Sequence, residues 1–175
     1  YYGKPTLEIY SDILMSVASE YGDALLVVEN NNVGLVVLEK LIDKECKNLY
    51  FSAKGTHEYV EHHSALMNPN AISGFTTSVK TRPIIIAKLE EFIRNRALKI
   101  NSLRTVNEFS TFVWKNGKPQ SMKGYNDDLV MSLSIACWIR DTAILKSHRD
   151  KQYSESLLNS MIYSSTQLDT KIRGM

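Results

Sequence analysis

The chain has no apolar run approaching the roughly 20 residues that a membrane-spanning helix needs. It has two cysteines, Cys46 and Cys137, each within a run that reads as strand or helix, where a free thiol behaves as a small buried hydrophobe. A reducing cytoplasm is therefore the expected compartment. There is little excess of either charge: the formal net charge of +2 does not announce a nucleic-acid partner, so any such reading must rest on local clusters. No GxxxxGK[ST] and no GxGxxG occurs, which argues against a complete nucleotide-driven motor within these residues. There is no internal repeat, no low-complexity segment and no signal-peptide pattern. The opening Tyr1-Tyr2-Gly3 has no initiator methionine, and the expectation is a piece of a longer protein.

What is present is an alternation of strand-like and helix-like segments. Thr6 can cap a helix behind Pro5, with Tyr10, Ile13, Leu14, Val17, Ala18 and Tyr21 at helical spacing. Ala24-Leu25-Leu26-Val27-Val28 has no polar alternation, as expected of a strand covered on both faces, and it ends on Glu29. Asn30-Asn31-Asn32 turns the chain into a second helix carrying Val33, Val36, Val37 and Leu41, and Leu49 to Ser52 read as a second strand. From Ala53 to Val79 no period is sustained, so a long loop is expected, and such loops tend to be functional or mobile. A third helix enters through Thr81-Arg82-Pro83, Leu98-Lys99-Ile100 is a short strand, and Thr105 with Glu108 has capping-box spacing ahead of a helix reaching Val113. Gly117-Lys118-Pro119 breaks that helix, and a polar tail from Lys146 holds one more helix near Tyr153–Tyr163. This alternation implies βαβ units and a mixed sheet with helices on both faces.

The stretch with most chemistry is Gly124-Tyr125-Asn126-Asp127-Asp128-Leu129-Val130-Met131-Ser132-Leu133, two carboxylates opening a largely apolar helix. Asn126 can cap its first turn, and acids there interact favourably with the helix dipole. The alternative is metal binding: a carboxylate ending a strand, Glu29, and another at a helix entrance, Asp128, form a cation site if the two elements are neighbours.

The order of elements and the pair VVENNNVG and GYNDDLVMSL resemble the nuclease domain of the large terminase subunit of tailed phages, of the T4-like type, within the ribonuclease H-like superfamily. The resemblance runs from Pro5 to about Arg149 and implies an α/β fold of ribonuclease H-like architecture, with a mixed central sheet flanked by helices. It divides the chain into a nuclease domain at 1–149 and a C-terminal tail at 150–175. The implied activity is an endonuclease dependent on Mg²⁺ or Mn²⁺ that cuts concatemeric double-stranded DNA when packaging starts and when the head is full. Glu29 and Asp128 match two of the family's metal-binding acids, and Asp127 would assist. The third acid, an aspartate on the first strand, would lie upstream of Tyr1 together with the first strands of the sheet. The resemblance further implies an ATPase domain preceding this one in the same polypeptide, the portal protein and small terminase subunit as partners, and a place in the cytoplasm of the infected bacterial host at the procapsid portal. Hard Mg²⁺ prefers oxygen ligands, and two such ions can activate a water and stabilise the leaving oxygen in phosphodiester hydrolysis.

Two rival readings are a resolvase or transposase type of nuclease on the same sheet, and a non-catalytic DNA-binding or assembly module. Lys80 and Arg82, among Thr76, Thr77, Ser78 and Thr81 at a helix entrance, are candidates to hold a DNA phosphate or else belong to an exposed loop. Arg94, Arg96 and Lys99 can extend a basic track, diluted by Glu90 and Glu91. His57, His62 and His63 with Glu58 and Glu61 match no standard zinc spacing and read as a solvated loop. Trp114 and Trp138 are expected in the core.

Overall fold

In a computed structural model, residues 3–55, 59–142 and Gln152 are described; the side chains of His63 and Leu66 are not. The chain divides into two compact units, Tyr1–Ile139 and Arg140–Met175. Of the second unit residues 140–142 and Gln152 are described, all helical, and the expected helix near Tyr153–Tyr163 lies outside the described residues. The first unit is mixed α/β. Its helices are α1 (Leu7–Glu20), α2 (Val33–Asp43), α3 (His62–Leu66), α4 (Thr81–Arg94), α5 (Leu103–Thr111) and α6, which begins at 128 and stays helical to Ile139. Its strands form two antiparallel sheets, β2 (Tyr59–Val60), β1 (Phe51–Ala53), β3 (Ala71–Ser73) in that order, and the hairpin of β4 (Phe112–Lys115) with β5 (Lys118–Ser121). No described helix is long and apolar enough to cross a membrane.

α1 starts where the sequence predicts, with the Thr6 hydroxyl accepting from the Ile9 N–H at 3.3 Å. Its inner face differs from the one expected. Leu7, Tyr10, Leu14 and Met15 pack on the core, whereas Val17 and Tyr21 are exposed. The core they meet is formed by Val37, Leu38 and Leu41 of α2 with Cys46, Leu49, Phe51, Val60 and Ala65. Glu8 clasps α1 to α2 through Lys40 at 2.6 Å and Lys44 at 2.7 Å, and these hydrogen bonds hold its carboxyl down at about 2. A second apolar region joins α4, α5 and α6 through Ile86, Leu89, Phe109, Phe112 and Val130.

The run 24–30 corrects the expectation of a strand covered on both faces. Among the described residues it makes only two isolated parallel bridges, Leu26 with Leu49 and Glu29 with Phe75. Leu26 bonds the 48–50 segment, its N–H to Asn48 O at 2.8 Å and its carbonyl from the Tyr50 N–H at 2.9 Å. Val28 and Asn30 then bracket Phe75, the Phe75 N–H donating to Val28 O at 2.8 Å and the Asn30 N–H to Phe75 O at 2.9 Å. In an extended chain, successive backbone groups face opposite edges. Those of Leu25 and Val27 face away from both partners and have none among the described residues, and both side chains are half-buried.

Two further expectations change. The segment 53–79 is not an unbroken loop, since it contains β2, α3 and β3, elements too short to show a period in sequence. The strand expected at Leu98-Lys99-Ile100 has no ladder, and the helix expected to reach Val113 ends at Thr111 and continues as β4. Buried Tyr50 stacks on Tyr59 at 5.5 Å and touches Phe75, and burial pushes its hydroxyl up to about 12.

Gly74 lets the end of β3 pass close beneath the 28–30 segment. Its φ is +77°, and a Cβ there would lie 2.5 Å from Val28 O and 2.6 Å from Leu38 Cδ1. Gly74→Ala is therefore expected to lower stability by about 3 kcal/mol, from the left-handed backbone and the clash together. Urea unfolding checks this: the midpoint should fall with an unchanged slope, and an unaltered midpoint would contradict the close approach.

Candidate functional site

Three asparagines after Glu29 have separate tasks. The Asn30 amide donates to Ser73 O at 3.1 Å and to Thr76 Oγ1 at 2.9 Å, fixing the segment to the residues that lead into α4. The Asn31 amide donates to Glu29 Oε1 at 2.9 Å and to Thr77 O at 3.3 Å, which orients the carboxylate. Asn32 turns the backbone into α2 at φ +48° and ψ −113°, outside the left-handed helical region. Gly34 in the first turn of α2 then lies against Glu29, where a Cβ would fall 1.7 Å from the Glu29 carbonyl oxygen.

The entrance to α6 is capped from elsewhere in the chain. The Glu108 carboxylate of α5 accepts from the Leu129 N–H at 2.8 Å and the Val130 N–H at 3.3 Å, both through Oε2. Helix starts leave such donors unsatisfied, and a carboxylate there also meets the positive end of the helix dipole. Neither Asn126 nor Asp127 supplies this cap, contrary to the sequence expectation, and Glu108 is not half of a local capping box. α5 is instead capped by Ser102, which accepts from the Thr105 N–H at 3.3 Å.

Asp127 is turned to Arg82. The Arg82 guanidinium donates through Nη2 to Asp127 Oδ2 and through Nε to Pro119 O at 2.9 Å, and lies 6.0 Å from the centre of the Phe112 ring. The Ser121 N–H donates to the same Asp127 oxygen at 3.3 Å. Both side chains are less than a third exposed, 26% for Arg82 and 22% for Asp127. Arg82 thus ties the start of α4, the hairpin and the entrance of α6 together. Asp127 Oδ1 takes no part in these bonds, and the exposed Asp128 has no partner among the described residues.

Glu29, Asp127, Asp128 and Arg82 line one cleft of about 440 Å³, whose walls come from α1 (Tyr10, Leu14), the 27–29 segment, α2 (Val33, Gly34, Val37) and α6 (Met131, Ser132, Ile135). Three carboxylates against one guanidinium leave a formal charge of −2, and the guanidinium is already engaged by Asp127. Among the described residues no group of three or more His, Cys, Asp or Glu side chains is arranged to hold a metal ion. The carboxylates of Glu29 and Asp128 have no cationic partner among the described residues, although Glu29 Oε1 accepts from Asn31, and carboxylate oxygens are the donor type that hard divalent cations prefer.

The remaining candidates are dispersed. Lys80 is exposed just before α4. Arg94 is held by Glu90 at 2.5 Å, while Arg96 and Lys99 follow on exposed backbone beyond α4. His57 and Glu58 lie outside the described residues, Glu61 precedes α3, and the His62 ring lies 5.4 Å from Phe51. Both cysteines are buried and free. Trp138 is half-buried, but Trp114 is 60% exposed, because it lies on the hairpin and not on an amphipathic helix. Sequence reading missed that hairpin, although Asn116-Gly117 between β4 and β5 is its signal: both residues have positive φ, +52° and +73°, as a tight two-residue turn demands. Compared with models of known protein families, the chain matches none.

Removing the Glu108 cap should loosen the α6 entrance. Glu108→Ala is expected to cost about 1–2 kcal/mol, and Glu108→Gln, which still accepts through its amide oxygen, about half as much or less. Thermal unfolding of both variants checks the order. Equal losses would show that Glu108 contributes bulk rather than an acceptor.

Proposed function

We propose that this chain is the nuclease domain of a tailed-phage terminase large subunit, with a ribonuclease H-like fold, acting on double-stranded DNA. The observation that carries the reading is the cleft lined by Glu29, Asp127 and Asp128, in which, among the described residues, Arg82 supplies the only guanidinium and is committed to Asp127. Two carboxylates left without counter-charge across a shared cleft repel, and a divalent cation relieves that repulsion. The sequence resemblance in VVENNNVG and GYNDDLVMSL supplies the reaction class.

On this reading Glu29 and Asp128 hold the cation, Mg²⁺ or Mn²⁺, and Asp127 assists through Oδ1. When bound, the ion supplies charge neutralisation for a phosphodiester and lowers the pKa of a coordinated water. The protein's own work is positional. Asn31 keeps the Glu29 carboxylate aimed, Glu108 fixes the first turn of α6, and Arg82 holds Asp127 while leaving one of its oxygens uncommitted. The partners belong to the same proposal: a preceding ATPase domain, the portal protein and the small terminase subunit, with the site of action in the infected bacterial cytoplasm at the procapsid portal. A second reading is a non-catalytic DNA-binding module, favoured by the capture of Asp127 by Arg82, which leaves Glu29 and Asp128 as the cleft carboxylates without a cationic partner among the described residues.

The test is conversion of supercoiled plasmid in Mg²⁺ or Mn²⁺ by the longest polypeptide carrying this chain. Glu29→Gln and Asp128→Asn are each expected to lower the rate by about a hundredfold or more, as loss of an essential charge-stabilising group does, with melting temperatures at or above wild type because like-charge repulsion is relieved. No cleavage by the wild-type polypeptide in either metal would overturn the proposal, and cleavage retained by both variants would remove Glu29 and Asp128 from the site.

A further inference from the structure

The residues 112–125, Phe-Val-Trp-Lys-Asn-Gly-Lys-Pro-Gln-Ser-Met-Lys-Gly-Tyr, contain three lysines and no acid. Lys115, Lys118 and Lys123 are exposed, and none has an ion-pair partner among the described residues. Lys115 and Lys118 are also directly opposite each other in the β4–β5 register. Like charges facing across a strand pair destabilise a hairpin, so this arrangement opposes folding locally unless an anion lies between them. Beside them Trp114 is 60% exposed and Tyr125 59%. Large aromatic surface in water next to unpaired lysines suits a polyanion that also offers apolar faces, which describes nucleic acid.

The hairpin is held at the rim of the acidic cleft. Arg82 bonds the Pro119 carbonyl of β5, and Asp127 accepts from the Ser121 N–H, and both Arg82 and Asp127 line the cleft. Ser121 also donates through its hydroxyl to Tyr125 O at 2.8 Å, which closes the turn bearing Lys123. The cleft itself repels phosphate without a cation, so DNA brought there needs positive charge supplied from its edge.

We propose that the β4–β5 hairpin and the turn after it form the DNA-holding element of this site, with Lys115, Lys118 and Lys123 contacting backbone phosphates and Trp114 making an apolar contact with the groove. The proposal rests on the nuclease reading for its substrate class, but it concerns binding and not cleavage. It gives the phosphate-holding role to the hairpin, since Arg82 is bound to Asp127 and Pro119.

The experiment is a salt titration of a fluorescent 40-base-pair duplex with the full chain in Ca²⁺, comparing wild type, Lys115→Gln/Lys118→Gln/Lys123→Gln and Trp114→Ala. Each phosphate contact contributes about 0.9 to the slope of log affinity against log salt. The triple variant should lower that slope by roughly 2–3 units and weaken binding by roughly tenfold or more at 0.1 M salt. Trp114→Ala should weaken binding with the slope unchanged, because that contact is not ionic. Melting curves of all three proteins, with Trp114→Phe as a second aromatic variant that retains binding, separate lost contact from lost fold. An unchanged slope in the folded triple variant would overturn the proposal. Duplex binding that behaves as expected, combined with no plasmid cleavage by the wild-type protein in Mg²⁺ or Mn²⁺, would instead sink the nuclease reading and leave the hairpin as a DNA-binding element.

Discussion

A helix that opens with carboxylates facing a cleft must have its free N–H groups satisfied by something else, and in this chain that something is Glu108. Its carboxylate reaches from α5 to the Leu129 and Val130 amides. Had Asp127 folded back to make those bonds, it would face its own helix, and Arg82 would lack its anionic partner. The cap from another helix therefore leaves the Asp127 carboxylate to Arg82 and the Ser121 N–H. It also ties α5, and through it the hairpin that follows without a break at Phe112, to the entrance of α6.

The opposite wall is built by a different device with the same result. Glu29 is placed by parallel bonds on either side of Phe75 and by the close seat of Gly34, and is then aimed by Asn31. Glu29 is aimed by a neighbour two residues away, whereas Asp127 is held by Arg82, 45 residues away in sequence. Proteins break local rules of charge balance mainly where they act, and here three acids share one cleft while two lysines face each other on the adjacent hairpin.

The α/β character, the start of α1, the turn at Asn30–Asn32 and the entrance of α6 could be read from the chain because each is announced by residues adjacent in sequence. The missed features depend on distant partners. Nothing near Glu108 says that it caps a helix 21 residues later, and nothing in Thr81-Arg82-Pro83 says that the guanidinium meets Asp127. The apolar run 24–28 looked like a central strand because composition reports hydrophobicity but not how many edges are paired. The hairpin was hidden in another way: Val106, Phe109, Phe112 and Val113 continue a helical period past the point where Thr111 ends the helix, so the period masked the Asn-Gly turn beyond it. Glu29 and Asp128 were singled out by chemistry, a carboxylate at a strand end and another at a helix start, and the cleft is lined by both.

The proposed nuclease site requires Glu29 and Asp128 to share one divalent cation. Crystals of the protein grown with MnCl₂, with diffraction measured at the manganese edge, test this directly. The expected result is an anomalous peak in the cleft within about 2.0–2.3 Å of an oxygen from each of the two carboxylates, with water completing the shell, and no peak there for Asp128→Asn. Manganese bound elsewhere with the cleft empty, or a peak unaltered by Asp128→Asn, would contradict it.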